Sequence, residues 1–322
     1  MKKSTIIMFI IAGAMVLFGA GLFAGAMSTD GWRFEGLSTW DFVYNTYDVD
    51  EAFTDVCIES DTADISFAKA KNGKCYVDYQ GYAYSECQVE VVDGTLHIKL
   101  LDTREWYEYI SISFYTQSAV LTIYLPEDAY ETLTIKESTG DVNIPEYFTF
   151  ESIELEANTG DLTVCCDTAG TCSITTDTGD VEVQSVSVGA LAIRTSSGDI
   201  TVTDVACAGN ASVNVSSGKV NLTNMTCLDL TTTGGTGDIT LRNVVASGDM
   251  DIERGTGDVT FDGCDAASMQ ITTNTGDVTG TLLSDKIFVY KTDTGKVRLP
   301  QTTTGGTCNI TTSTGNIILA IQ

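Results

Sequence analysis

Seven aspartates, Asp141, Asp161, Asp180, Asp199, Asp238, Asp258 and Asp277, each follow a glycine and recur on a period of 19 or 20 residues. Lys219, Lys296 and Asn316 continue the same column. A file of carboxylates is a potential cation ladder, because Ca²⁺ takes roughly six to eight oxygen ligands and Thr hydroxyls and carbonyls lie nearby. One aspartate per period is sparse, however, and the nonapeptide glycine–aspartate pattern of calcium-binding β-rolls is absent. Carboxylates stacked about 5 Å apart repel by about 1 kcal/mol per pair in bulk water, so something must offset them. Local backbone hydrogen bonds, the interrupting lysines, or a bound cation would each serve. The structural reading, with no metal and no cofactor, is preferred.

Other chemistry finds less support. His97 is the single histidine and sits at an alternating strand position, which suits a surface or packing residue. Arg194, Arg242, Arg254 and Arg298 are dispersed and are expected to pair with neighbouring acids. No Gly-x-Ser-x-Gly elbow, phosphate loop or zinc-binding helix motif occurs. A polysaccharide-active site needs carboxylates converging on one face, framed by long loops. The segments between the repeated strands are short and uniform, so a non-enzymatic chain is expected.

The elements that position the aspartates follow from the glycines before them: Gly140, Gly160, Gly179, Gly198, Gly218, Gly237, Gly257, Gly276, Gly295 and Gly315. A 19–20-residue period with this self-similarity predicts a solenoid, one coil per copy. Two residues after each glycine stand Val142, Leu162, Val181, Ile200, Val220, Ile239, Val259, Val278, Val297 and Ile317. Further apolar columns lie four residues after, five before and seven before, alternating with polar positions as in strands with one buried face. The reading is all-β: a parallel β-helix of about ten coils, each turning at a Thr/Ser-Gly-Asp corner where glycine accepts positive φ.

The chain has 322 residues, 43% of them hydrophobic, with 3 prolines, 30 glycines and a net charge of −27. That charge argues against nucleic acid or anionic lipid as a partner. Residues 1–27, Met-Lys-Lys followed by uncharged Ile6 to Ala26, read as one transmembrane helix or, alternatively, a signal cleaved near Ala26. With Lys2 and Lys3 inside, the bulk would lie outside a bacterial cell membrane, and the membrane would be a partner through this helix. Residues 28–47, with Trp32, Phe34, Trp40, Phe42 and Tyr44, read as a juxtamembrane linker; residues 48–131 as an N-terminal β cap; and 132–322 as the solenoid. Within the cap, Ile110–Phe114 is among the expected strands, and Asp61-Thr62-Ala63-Asp64-Ile65 looks like a corner with alanine in place of glycine. The last coil, ending at Ile317–Ile321, has no polar cap and is expected to leave an open strand edge suited to association.

Ten cysteines accompany this pattern. Cys172, Cys264 and Cys308 fall in apolar columns and read as small hydrophobes. Cys207 and Cys227 stack in adjacent coils, and Cys75 with Cys87 is the best disulfide candidate, although most of the set is expected to be reduced.

The lysine-flanked N-terminal segment, the aromatic stretch, the loose β region ending near Tyr124-Leu125-Pro126 and the Thr-Gly-Asp-aliphatic coils together resemble a bacterial family. It is the family of β-strand-repeat proteins provisionally labelled adhesins, a domain of unknown function, and the resemblance covers residues 48–322. It implies a parallel solenoid at the cell envelope, contacting an envelope protein or glycan surface, and supplies no catalytic residues. Alternatives are a self-associating, end-to-end scaffold or an envelope-stress accessory protein.

Overall fold

A computed structural model describes residues 3–29, 42–71, 73–104 and 118–322. Its body is a parallel β-solenoid. The column seven residues before each glycine becomes one continuous ladder: Leu133 pairs with Ile153, then Cys172, Leu191, Ala211, Leu230, Met250 and Met269 follow in register. The column two residues after the glycine does the same on the second face, from Val142 through Leu162, Val181, Ile200, Val220, Ile239 and Val259 to Val278. Both columns point inward and form one unbroken apolar core from Val49 to Leu319. Burial of these aliphatic files is what holds the coils together, since each coil alone has nothing to cover its inner face.

The ladder does not follow chain order at its C-terminal end. Met269 pairs with Cys308, and Cys308 pairs with Phe288. Likewise Val278 pairs with Ile317, and Ile317 with Val297. The coil made by strands Gly306–Thr314 and Ile317–Ile321 is thus inserted between its two predecessors. The expected open edge at Ile317–Ile321 is therefore wrong in its place: among the described residues, the outermost strand is Lys286–Thr294. The reason lies in side chains. Cys308, Ile310, Ile317 and Leu319 fill an interior layer completely, whereas the preceding coil sets a half-buried Phe288 and an exposed Tyr290 opposite Cys308 and Ile310 and an exposed Val297 opposite Ile317.

A similar excursion occurs at the other end. Strands Asp55–Ser60 and Asp64–Lys69 form a coil that stacks directly on Ala129–Thr139 and Val142–Ile144. Ala63 occupies the corner, and a Cβ built on Gly140 would lie 2.2 Å from its carbonyl oxygen. Beyond this coil lie Thr95–Asp102 and Val120–Leu125, parallel to it, then antiparallel Ser85–Val92 on one face and Cys75–Tyr82 and Phe42–Val49 on the other. Residues 42–47 of the expected linker thus belong to a paired strand. Trp32, Phe34, Trp40 and the expected strand Ile110–Phe114 fall outside the described residues.

The transmembrane expectation is overturned. Lys3–Thr29 is an α-helix, but among the described residues no helix is long and apolar enough to cross a membrane. The membrane partner and the single-pass topology are corrected with it.

Candidate interaction surface

The corners explain how the aspartates tolerate one another. Each carboxylate accepts the backbone N–H of the next coil's residue: Asp161 N–H donates to Asp141 Oδ1 at 2.8 Å, Asp180 to Asp161 at 2.8 Å, and Asp199 to Asp180 at 2.7 Å. The series begins with Asp141 donating to Asp64 and resumes with Asp258 on Asp238 and Asp277 on Asp258. It also obeys the inserted coil: Asn316 donates to Asp277 by backbone and side chain, and Lys296 donates to Asn316 Oδ1. These amide bonds hold the Asp277 carboxyl below its ordinary range. No group of His, Cys, Asp and Glu that could hold a metal occurs among the described residues. Of the corner glycines, those from Gly140 to Gly276 have positive φ between 122° and 159°. Gly295 and Gly315 do not, yet a Cβ on either would lie 1.9 Å from a carbonyl oxygen.

A second corner escaped the sequence reading. Six residues after the motif glycine, Ser185, Asp204, Asn224 and Asn243 adopt φ between 51° and 57°, and Gly263 has 63°. Asn and Asp tolerate this left-handed conformation better than most residues. Their side chains form a ladder, with Asn224 Nδ2 donating to Asp204 Oδ1 at 2.7 Å and Asn243 Nδ2 to Asn224 Oδ1 at 3.0 Å. The recurrence of Asp, Asn and Asn at one offset was the available signal.

Charged groups inside the rod serve the fold. Arg254 does not pair with an acid as expected; it lies in the core and donates to the carbonyls of Gly237, Val215, Gly218 and Thr236. Lys286 is buried and bonds Asp265 Oδ1 at 2.5 Å and Ser284 Oγ at 2.7 Å. Glu137 is buried beside Ser60 in the ladder, and burial pushes its carboxyl up to about 7. All ten cysteines are free, including Cys75 and Cys87, and burial pushes both of those thiols up to about 12. Unreactive packing residues are the consequence.

Concavities are shallow. One of about 480 Å³ runs past Ala63, Gly140 and Gly160 between Tyr84 and Asp141. A smaller one, about 170 Å³, holds His97 with Cys57, Glu90 and Lys99. In the smaller one Cys57 and His97 are ladder partners, and burial pushes the Cys57 thiol up, away from the thiolate that a nucleophile needs.

The ends of the rod differ from its sides. At the C-terminal end Lys286–Thr294 pairs on one flank only, leaving a row of backbone donors and acceptors. Around it Ile287 is 42% exposed, Val289 58%, Tyr290 54% and Val297 36%. At the N-terminal end Ser85–Val92 and Phe42–Val49 each pair with one neighbour among the described residues.

The profile of a family described as Toastrack DUF4097 matches residues 53–212 and 209–322. A structure from Parabacteroides merdae ATCC 43184, provisionally named an adhesin, is 11% identical with a TM-score of 0.50, covering 75% of this chain and 95% of that one. Another provisional adhesin, from Bacteroides fragilis NCTC 9343, is 19% identical at TM-score 0.45 over 76% and 97% of the two chains. A protein from Parabacteroides distasonis ATCC 8503 provisionally named lipid-binding is 17% identical at 0.49 over 73% and 96%. At these identities the likeness concerns fold alone, and the P. merdae structure carries it. Comparison with curated proteins gives no match.

Proposed function

Because the chain belongs to the toastrack DUF4097 family, we propose that it is a non-enzymatic scaffold of the bacterial cell envelope that works by surface contact and associates end to end. One observation carries the reading: at the C-terminal end of the rod the strand Lys286–Thr294 has, among the described residues, a partner on one flank only, and its free edge is bordered by exposed Ile287, Val289, Tyr290 and Val297. Unpaired edges with exposed apolar side chains are templates for a further strand, and folded chains ordinarily blunt or cover them. The sides of the rod, by contrast, are polar and already hydrogen-bonded from coil to coil, which suits contact with other surfaces more than a pocket for a small ligand.

Sedimentation velocity of the full chain across micromolar to near-millimolar concentrations tests the proposal. Species growing in steps of one chain, elongated by electron microscopy, are expected. A single monomeric species over the whole range overturns it.

A further inference from the structure

The two ends of the rod carry opposite charge, and this difference selects who meets whom. At the C-terminal end Lys291, Lys296 and Arg298 are exposed, with Asp285 and Asp293 as the nearby acids. Lys291 sits 3.9 Å from Asp293, with side chains 72% and 64% exposed, so the pair is loose and solvated. At the N-terminal end the edge strand Ser85–Val92 and its turn bear Glu86, Glu90 and Asp93 with no cation among them. In a chain of net charge −27 a local excess of cations at one terminus is unusual.

Resting on the scaffold reading above, we propose that the partner of Lys286–Thr294 is the Ser85–Val92 edge of a second copy, giving polar, head-to-tail rods. Both strands border the same face of the solenoid, so their pairing continues one sheet from copy to copy. Ser85–Val92 runs antiparallel to the coils, so the joint is an antiparallel pair. Opposed residues in such a pair point to the same face. With Phe288 across from Val89, the inward residue Tyr290 meets Cys87 and the core runs on through the joint. On the outer face the same register sets Lys291 across from Glu86 and Val289 across from Gln88. Like ends are disfavoured, because a tail-to-tail joint gathers Lys291, Lys296 and Arg298 of both copies, and a head-to-head joint gathers Glu86, Glu90 and Asp93. A head-to-tail contact repeats without closing on itself when its rotation does not complete a ring.

The test uses the full chain and charge exchange at exposed positions. Lys291→Glu alone and Glu86→Lys alone are each expected to raise the dissociation constant of self-association about tenfold. Mixing these two variants is expected to restore growth as alternating copies, since Lys291→Glu faces Glu86→Lys at one joint and unaltered Lys291 faces unaltered Glu86 at the next. The doubly exchanged chain, Lys291→Glu with Glu86→Lys, is expected to regain growth. Cross-linking adds a second readout: chains bearing Gln88→Cys and chains bearing Val289→Cys are expected to join as heterodimers on oxidation. Association that proceeds unchanged in both single variants, without the cross-link, overturns the head-to-tail joint while leaving the scaffold reading standing. A parent chain that stays monomeric overturns both.

Discussion

The guanidinium of Arg254 occupies the space that a side chain at Gly234 would fill: a Cβ built there would lie 1.9 Å from Arg254 Nη1. The two residues pair across neighbouring coils. In flanking coils the same inward position holds Thr195, Thr273 and Thr312, and Thr273 and Thr312 turn their hydroxyls to corner carbonyls. Arg254 performs that task for several coils at once, reaching the carbonyls of Val215, Thr236 and Gly237 at 3.1, 2.9 and 2.6 Å. Desolvation pulls its pKa down, yet a guanidinium keeps its proton and its bonds. Truncation by Arg254→Ala would orphan these carbonyls and leave a void, costing about 3 kcal/mol in denaturant melts. A loss under half that figure would show the carbonyls to be satisfied some other way.

Glu137 sets a pH dependence. Burial raises its carboxyl from 4.5 to about 7 in the folded chain, against small opposing contributions from hydrogen bonds to Ser60, Thr139 and Ala63. Between about pH 4.5 and pH 7 the folded chain therefore keeps a proton that the unfolded chain has released. Stability from this group falls as pH rises through that window and is level above it, a difference of up to about 3 kcal/mol. Glu137→Gln is expected to flatten that slope and to raise the melting temperature at pH 8 while leaving it unchanged at pH 4. Parallel pH profiles for the parent and the variant would remove the assignment.

The repeat was legible because strand burial imposes a period of two and stacking imposes a period of 19 or 20; Val142, Leu162 and their successors satisfy both. The Ala63 corner was legible for the same reason, since Asp64 and Ile65 follow it as an aspartate and an aliphatic follow each glycine. What periodicity does not encode is order along the rod. Cys308 matches Met269 and Phe288 equally well as a column member, and only the relative polarity of whole coils decides which one is buried. Nor does it encode partners of a single unusual residue, so Arg254 was expected to pair with neighbouring acids rather than with carbonyls. The second corner was missed because its column, Ser185, Asp204, Asn224, Asn243, Gly263, shares a conformation more than a residue type.

The inserted coil makes truncation informative. Removing residues 304–322 would delete not the tip of the rod but the layer between Met269 and Phe288. Lys286–Thr294 would then lose its partner, and Met269, Ile271 and Val278 would face water. Loss of protection in hydrogen exchange is expected across residues 267–298, far beyond the deleted segment. If only the strands next to the cut lost protection, with 286–294 still protected, stacking in chain order would be the better description.

At the motif corner, Gly198 has φ 142° and a Cβ there would lie 2.0 Å from the carbonyl oxygen of Gly179. Gly198→Val must move backbone in two coils, and a loss of roughly 3 kcal/mol is expected. Because coils are coupled to nearest neighbours, the damage should appear first in amides of the adjoining turns. An unaltered melting temperature would mean the corner relaxes without cost.

The aspartate ladder can be separated into charge and hydrogen bonding at Asp180, whose Oδ1 accepts the Asp199 N–H at 2.7 Å. Asn keeps that oxygen and loses the charge, whereas Ala loses both. If the column is held by coil-to-coil hydrogen bonds, Asp180→Asn should be near neutral or slightly stabilising, since it relieves repulsion from Asp161 and Asp199. Asp180→Ala should then cost about 1 kcal/mol. A cation held along the column would reverse the order of importance: Asn would be as damaging as Ala, and added Ca²⁺ or a chelator would shift the parent's melting temperature. Melts of the three chains with and without millimolar Ca²⁺ decide between the two, and the short bonds at every Asp-to-Asp step favour hydrogen bonding as the force that offsets the charge.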